Sequence, residues 1–444
     1  MNIISIVLQV ILSLSILVVL HEFGHYLPAK WFKTKVEKFY LFFNPYFSLF
    51  KKQIGETEWG IGWIPFGGYV KIAGMIDESM DKEQMNQPVQ PWEFRAKPAW
   101  QRLIIMVGGV FVNFVLGFLI FGFLLFYYGE SYYKNADVKY GIMVDSLGME
   151  LGLQDGDKLI SIGGKPVERF SRGIFTEEIV FNNASTYEVN RNGSEITLQV
   201  PTGFAKRLTA PENKNKGLIY ERYPQQIANV SKESIAEKSG LKKDDIILTV
   251  NGKTTTFVNQ LSTELKKHRN EEISLNVLRA KDTIQTVAKL DSTGTLGIEL
   301  WGADKFLTIS REKYSLAQAL PAGVDKGISF LSNQIKAFGQ MFKGNIKAQD
   351  SLGSVLSIAT LFDASWSWER FWTITAMLSI ILAFFNILPI PALDGGYVLF
   401  LLWEIISGKK PSDRFMEVVT TAGFVILLTL MVFALGLDIN RFFR

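Results

Sequence analysis

Four stretches of the chain run without a charged residue for long enough to cross a bilayer: Ile3–Leu20, Leu103–Tyr128, Phe371–Leu393 and Val418–Leu437. At the rise of an α-helix, about twenty such residues span the hydrocarbon, so each stretch predicts a transmembrane helix. Between the first two, Glu58-Trp59-Gly60-Ile61-Gly62-Trp63-Ile64-Pro65 leads into Phe66-Gly67-Gly68-Tyr69-Val70-Lys71-Ile72. Extended aromatic and β-branched segments broken by Pro-Phe-Gly-Gly predict a β-hairpin or small sheet at the membrane surface. Residues 77–98 mix charge, Met, Gln and proline and read as a linker. Between 310 and 360, apolar residues such as Phe330, Leu331, Ile335, Phe338 and Met341 recur at helical spacing among basic ones, which predicts amphipathic helices lying on a leaflet.

Composition narrows this picture in two ways. A net charge of +4 over 444 residues offers no footprint for nucleic acid. Cysteine is absent, which excludes disulfides and thiolate metal sites, so any metal must be held by histidine and carboxylate. The first apolar run lacks a basic leader and a small-residue cleavage site, and is read as a retained span. Lys30, Lys33, Lys35 and Lys38 follow that span, and Lys409, Lys410 and Arg414 lie between the third and fourth. Positive-inside logic then places 28–101 and 404–417 in the cytoplasm, with both termini and the 129–370 insertion outside.

The chemistry starts at the end of the first run, with His21-Glu22-Phe23-Gly24-His25. Helical positions four apart share a face, so both imidazoles can address one metal ion, and Glu22 can address a water held there. Ionisable groups at membrane depth are costly and mark function. Zinc needs a third protein ligand and an open position. Asp394 supplies that ligand as the one charged residue between Phe371 and Trp403, in a span that Pro389, Pro391, Gly395 and Gly396 must break. Irregular backbone at that depth is tolerated only where it lines a cavity or is buried in protein. Asn113, in the second span among Gly108, Gly109 and Gly117, reads as helix packing.

The insertion contains a repeat. Gly152-Leu153-Gln154-Asp155-Gly156-Asp157-Lys158-Leu159-Ile160-Ser161-Ile162-Gly163-Gly164-Lys165 recurs 88 residues later as Gly240-Leu241-Lys242-Lys243-Asp244-Asp245-Ile246-Ile247-Leu248-Thr249-Val250-Asn251-Gly252-Lys253. The phrase resembles PDZ domains of bacterial proteases, which implies two such domains at 135–213 and 222–302. Strand addition of an extended peptide is the usual work of such domains; a steric gate is the alternative.

His21-Glu22-x-x-His25, Asn386-x-x-Pro389-x-Pro391-x-Leu393-Asp394-Gly395-Gly396 and the paired PDZ-like segments together resemble the site-2 protease family. The match extends to Ile64–Lys71 and to Gly109-x-x-x-Asn113-Phe114, and departs from many members at Tyr397. The fold class expected is mixed: a polytopic α-helical membrane protein with four transmembrane helices, a membrane-associated β-hairpin region and two inserted PDZ-like domains. Its plan is 1–28 for the first span with the metal motif, 29–101 for the hairpin region and linker, and 102–128 for the second span. After the insertion come helices at 310–360, the broken third span at 369–403 and the fourth at 418–437.

The resemblance implies an intramembrane zinc metalloprotease of the bacterial inner membrane. It would cut single-pass membrane proteins, of the anti-sigma-factor or signal-peptide-remnant type, after external trimming. Zn2+ would be held by His21, His25 and Asp394, with Glu22 as general base. Partners would be the substrate helix, the lipid bilayer and peptide ligands of the PDZ-like pair. A helical substrate must be unwound before attack; Gly68, Tyr69 and Val70 are expected to offer it an edge strand, and the Asn386 amide a hydrogen bond. The competing reading is an inactive scaffold that uses the PDZ-like pair and a structural metal. A zinc transporter is a third, and it would need a polar path through the spans.

Overall fold

The computed structural model describes residues 2–75, 87–213, 217–347, 349 and 353–442. Helix α1 (Asn2–Trp31) continues without a break from the first apolar run through the metal motif. Pro28 lies inside it and has no N–H to give to the Gly24 carbonyl. That carbonyl sits where helix α2 (Ala99–Tyr128) crosses: a β-carbon on Gly108 would overlap the Gly24 oxygen, so the two backbones are in direct contact. Small residues permit this approach, and it places the motif against α2.

The chain divides into two compact units, the first made of residues 1–129, 313–335 and 347–444. Among the described residues, four helices are long and apolar enough to cross a membrane: Ile3–Trp31, Ala99–Tyr128, Trp368–Ile387 and Arg414–Asn440. Helix α3 (Leu316–Phe342) precedes the short α4 (Val355–Ala359) and packs Gly323 and Gly327 against Phe118 of α2. Helix α5 (Trp368–Ile387) is joined to α2 by Ser379 Oγ, which donates to the Asn113 carbonyl at 2.7 Å, and to α1 by the Ser13–Thr375 hydroxyl pair at 2.9 Å. Residues 388–393 then leave the helix, and α6 (Asp394–Ser407) begins on Asp394. A β-carbon on Gly395 would overlap the Ile387 and Leu388 carbonyls, so glycine lets α6 start against the end of α5. Helix α7 (Asp413–Phe442) rests Gly423 on the Pro391 backbone of the same break.

The segment between the first two spans, expected to hold a hairpin or a small sheet, is a four-stranded sheet. Strands β1 (Val36–Phe43), β2 (Phe50–Ile54), β3 (Thr57–Ile61) and β4 (Ile64–Ile72) lie in the order β2-β3-β1-β4. The expected pairing of 58–61 with 64–72 does not occur, because β1 lies between them, parallel to β3 and antiparallel to β4. The reason is burial: β1 carries Val36, Phe39 and Tyr40, all buried, and takes the centre. The β3–β4 connection crosses the end of β1, where the Gly62 N–H donates to the Leu41 carbonyl at 2.8 Å. Strand β4 is left at an edge, where the reading of Gly68, Tyr69 and Val70 requires it. The expected linker at 77–98 lies partly outside the described residues, at 77–86. Its later part is packed rather than loose: Phe94 is buried beside Val36, Ile72 and Ile105.

The second unit comprises residues 130–312 and 336–346. Strands β5 (Glu130–Lys134) and β6 (Ile309–Glu312) pair antiparallel, so the insertion starts and ends in neighbouring strands. Residues 309–312 are therefore strand, not the start of an amphipathic helix. Between them lie two apolar cores, one around Leu159, Ile162, Phe175 and Val189, the other around Ile247, Val250, Leu275 and Val277. The first includes the strand Ile219–Glu221, paired with the strand Ile142–Val144, and so extends past residue 213.

The 88-residue repeat is also a repeat of contacts. Arg191 Nε donates to Asp157 Oδ1 at 2.8 Å and Arg191 Nη2 to the Gly152 carbonyl at 2.8 Å. In the second copy Arg279 Nε donates to Asp245 Oδ1 at 2.9 Å and Arg279 Nη2 to the Gly240 carbonyl at 2.7 Å. Each aspartate is 1% exposed, and a buried carboxylate survives only when paired in this way.

Candidate metal centre

Helical spacing brings His21 and His25 to one face of α1, with their rings edge to face at 4.8 Å between centroids. The break after α5 returns Asp394 to the same point. The Nε2 atoms of both histidines lie 3.3 Å from Asp394 Oδ2 and 3.3 Å from each other. A tetrahedral zinc with bonds of about 2.0–2.1 Å has ligand-to-ligand edges of about 3.3–3.4 Å. The three atoms thus have the dimensions of one face of that tetrahedron. Asp394 Oδ2 is buried and accepts no hydrogen bond, an arrangement costly for a carboxylate unless a cation supplies the missing charge. Among the described residues this is the one cluster of three His, Cys, Asp or Glu groups fit to hold a metal. The residues fit zinc.

The surroundings of the triangle come mostly from α2. Ile105, Gly109 and Asn113 are four apart along one face of that helix. The Ile105 carbonyl is 2.8 Å from His25 Nδ1, which leaves Nε2 for the metal side. A β-carbon on Gly109 would overlap His25 Nε2 and crowd His21 Cε1, so this glycine keeps the cluster open. Asn113 Nδ2 lies 3.3 Å from His21 Nδ1. The sequence shows Gly109 and Asn113 as packing residues; only the crossing of α1 and α2 at Gly24 and Gly108 turns them toward the histidines. The residues share that four-residue spacing with His21 and His25, and the resemblance at Gly109-x-x-x-Asn113-Phe114 pointed to the same segment.

Glu22 follows the first histidine and lies within hydrogen-bonding reach of the Val70 backbone. Strand β4 therefore passes beside the carboxylate. Gly68 lets it pack closely, since a β-carbon there would meet Val18 of α1 and the Tyr40 carbonyl. The Tyr69 ring stacks on Tyr40, and its hydroxyl donates to Asn44 Oδ1 at 2.9 Å, so it braces the sheet. Asn386, next to last in α5, has its Nδ2 3.3 Å from His21 Nε2 and so borders the cluster. All eight residues singled out from the sequence lie in the first unit.

Among the described residues, Ser13, Thr375 and Ser379 use their hydroxyls in helix contacts. Ser13 pairs with Thr375, Ser379 donates to the Asn113 carbonyl, and Leu17, 1% exposed, lies between the Ser13 and His21 positions. This packing gives no support to the transporter reading.

Comparison with known proteins agrees with the geometry. The model of peptidase family M50 matches residues 9–430. A protein of Rickettsia conorii named as a zinc metalloprotease is 28% identical, and the alignment covers 98% of each chain. A zinc metalloprotease by name from Neisseria meningitidis serogroup A is 29% identical over 98% of each. The regulator of sigma E protease of Haemophilus influenzae is 26% identical, covering 97% of this chain and 98% of its own. With a ligand triangle of zinc dimensions at the foot of α1 and a family match that runs nearly end to end, the chain belongs to peptidase family M50 and is a membrane zinc metalloprotease.

Proposed function

We propose that the chain cuts peptide bonds inside the membrane, in single-pass proteins whose external parts have already been trimmed. The observation that carries the reading is the 3.3 Å triangle of His21, His25 and Asp394, with both histidines in a helix of membrane-spanning length and Glu22 and the edge of β4 beside it. His21, His25 and Asp394 would hold the zinc, which would supply Lewis-acid activation of a water molecule. Glu22 would accept a proton from the attacking water on its carboxylate and deliver it to the leaving amine nitrogen. Strand β4 offers backbone groups at Gly68, Tyr69 and Val70 to an unwound substrate, supplying hydrogen bonds that lipid cannot. Asn386 adds a side-chain hydrogen bond to the same substrate backbone.

The intact Glu22 beside the cluster favours this over a scaffold with a structural metal, which has no use for a base. The resemblance of the repeats to PDZ domains, with their matched Asp–Arg pairs, supports a role in selecting substrates by peptide binding or by size. The relative named regulator of sigma E protease supports an anti-sigma factor as one substrate type. The lysines after α1 and before α7 support placing the metal centre toward the cytoplasmic side and the insertion outside.

The test is Glu22→Gln in purified protein. Cleavage of a single-pass substrate should fall about a thousandfold while roughly one zinc per chain remains, since all three ligands are kept. Undiminished cleavage would remove the assignment of the base.

A further inference from the structure

We infer that Asn113 is a positioning residue that holds His21 in the tautomer whose Nε2 faces the metal. The inference rests on His21, His25 and Asp394 being the zinc ligands. A neutral imidazole carries one proton, so ligation through Nε2 puts that proton on Nδ1, where it needs an acceptor. For His25 the acceptor is on the page: the Ile105 carbonyl, 2.8 Å away. For His21, the side chain 3.3 Å from Nδ1 is Asn113, fully buried eight residues along the same face of α2.

Asn113 has one acceptor to give. Its Oδ1 is buried and without a hydrogen-bond partner, while its Nδ2 end lies toward Nδ1. An amide with Nδ2 at the ring donates to Nδ1, which forces the imidazole proton onto Nε2. That proton would point into the triangle, where Asp394 Oδ2 and His25 Nε2 are each 3.3 Å away. A half-turn of the amide exchanges two ends of nearly equal size. It sets Oδ1 against Nδ1–H and frees the Nε2 lone pair. The half-turn needs no shift of the backbone, whose Asn113 carbonyl is held by Ser379 Oγ at 2.7 Å. One face of α2 thus orients both ligands, through a backbone carbonyl at Ile105 and a side-chain carbonyl at Asn113.

The experiment uses full-length protein in detergent, with zinc affinity measured by competition against a chromogenic chelator. Nitrogen-15 shifts of the three histidines report the tautomers. Zinc-loaded wild type should carry the proton of His21 and of His25 on Nδ1. Asn113→Leu should bind zinc 10–100-fold more weakly, the usual loss for a ligand's orienting partner, and spread His21 over both tautomers while His25 is unchanged. Asn113→Asp can accept but not donate; it should bind zinc at least as tightly as wild type and keep the Nδ1 proton. Zinc binding within twofold of wild type and an unchanged His21 tautomer in the leucine variant would overturn the role. So would zinc loss in the aspartate variant, because the amide N–H would then be the working group. His21→Ala separates the two readings. If it binds zinc as wild type does, the ligand set itself fails; if it loses zinc while Asn113→Leu keeps it, only the orienting role does.

Discussion

Gly109 shows how little space separates a metal centre from a packed helix crossing. Its missing side chain is the gap beside His25 Nε2 and His21 Cε1, and both neighbours belong to the ligands themselves. Gly109→Ala should therefore cut zinc content to less than about a tenth, because a β-carbon there displaces an imidazole from a site that tolerates little ligand displacement. Gly339→Ala, where nothing lies within 4 Å of the added carbon, should leave zinc unchanged and stabilise α3 by about 1 kcal/mol. Elemental analysis of the two variants checks both outcomes. The histidine pair was legible in the sequence because ligand spacing and helix period coincide. Asp394 was legible because a lone carboxylate in an apolar span needs a partner. Asn113 was not legible as an orienting residue: an intramembrane Asn has the same appearance whether it bonds a neighbouring backbone or an imidazole.

Among the elements, β4 and the 388–393 break carry the site. Strand β4 lies at the sheet edge, and the Val70 backbone reaches Glu22. Val70→Pro removes that N–H and one backbone donor of the edge. Cleavage should slow at least tenfold with zinc content unchanged, since no ligand lies in the strand. Loss of zinc in this variant would mean that the sheet supports the metal centre itself. The segments of β3 and β4 were readable from their aromatic and β-branched residues, whereas β1 and β2 were not read. Their order was not, because the pairing of β3 and β4 with the buried β1 depends on which strand finds the most apolar surroundings. The break was readable from its prolines and glycines. That α7 seats Gly423 on Pro391 was not, since contact between segments some thirty residues apart leaves no local trace.

At the scale of the whole molecule, the pairing of β5 with β6 makes the insertion separable. Its ends are neighbouring strands, the usual condition under which a domain can be inserted or removed. Excising residues 135–308 and joining the strands by a two-residue turn should leave roughly one zinc per chain, because the ligands lie in the other unit. If the repeats select by size, the excised protein should also cut substrates with intact external domains. If they capture peptides, it should cut trimmed substrates more slowly and gain no new ones. Matched full-length and trimmed substrates, compared in one assay, decide between these outcomes. The sequence by itself determined the properties set by short-range spacing and by the cost of charge in lipid. Those properties are the four spans, the two-histidine motif, the need for Asp394, and a repeat of 88 residues. Tertiary structure alone decided the order of the sheet, the backbone contact of Gly24 with Gly108, and the turning of Ile105, Gly109 and Asn113 toward the ligands. These depend on the angle and depth at which two apolar helices meet, and close packing sets both through contacts that no single segment encodes.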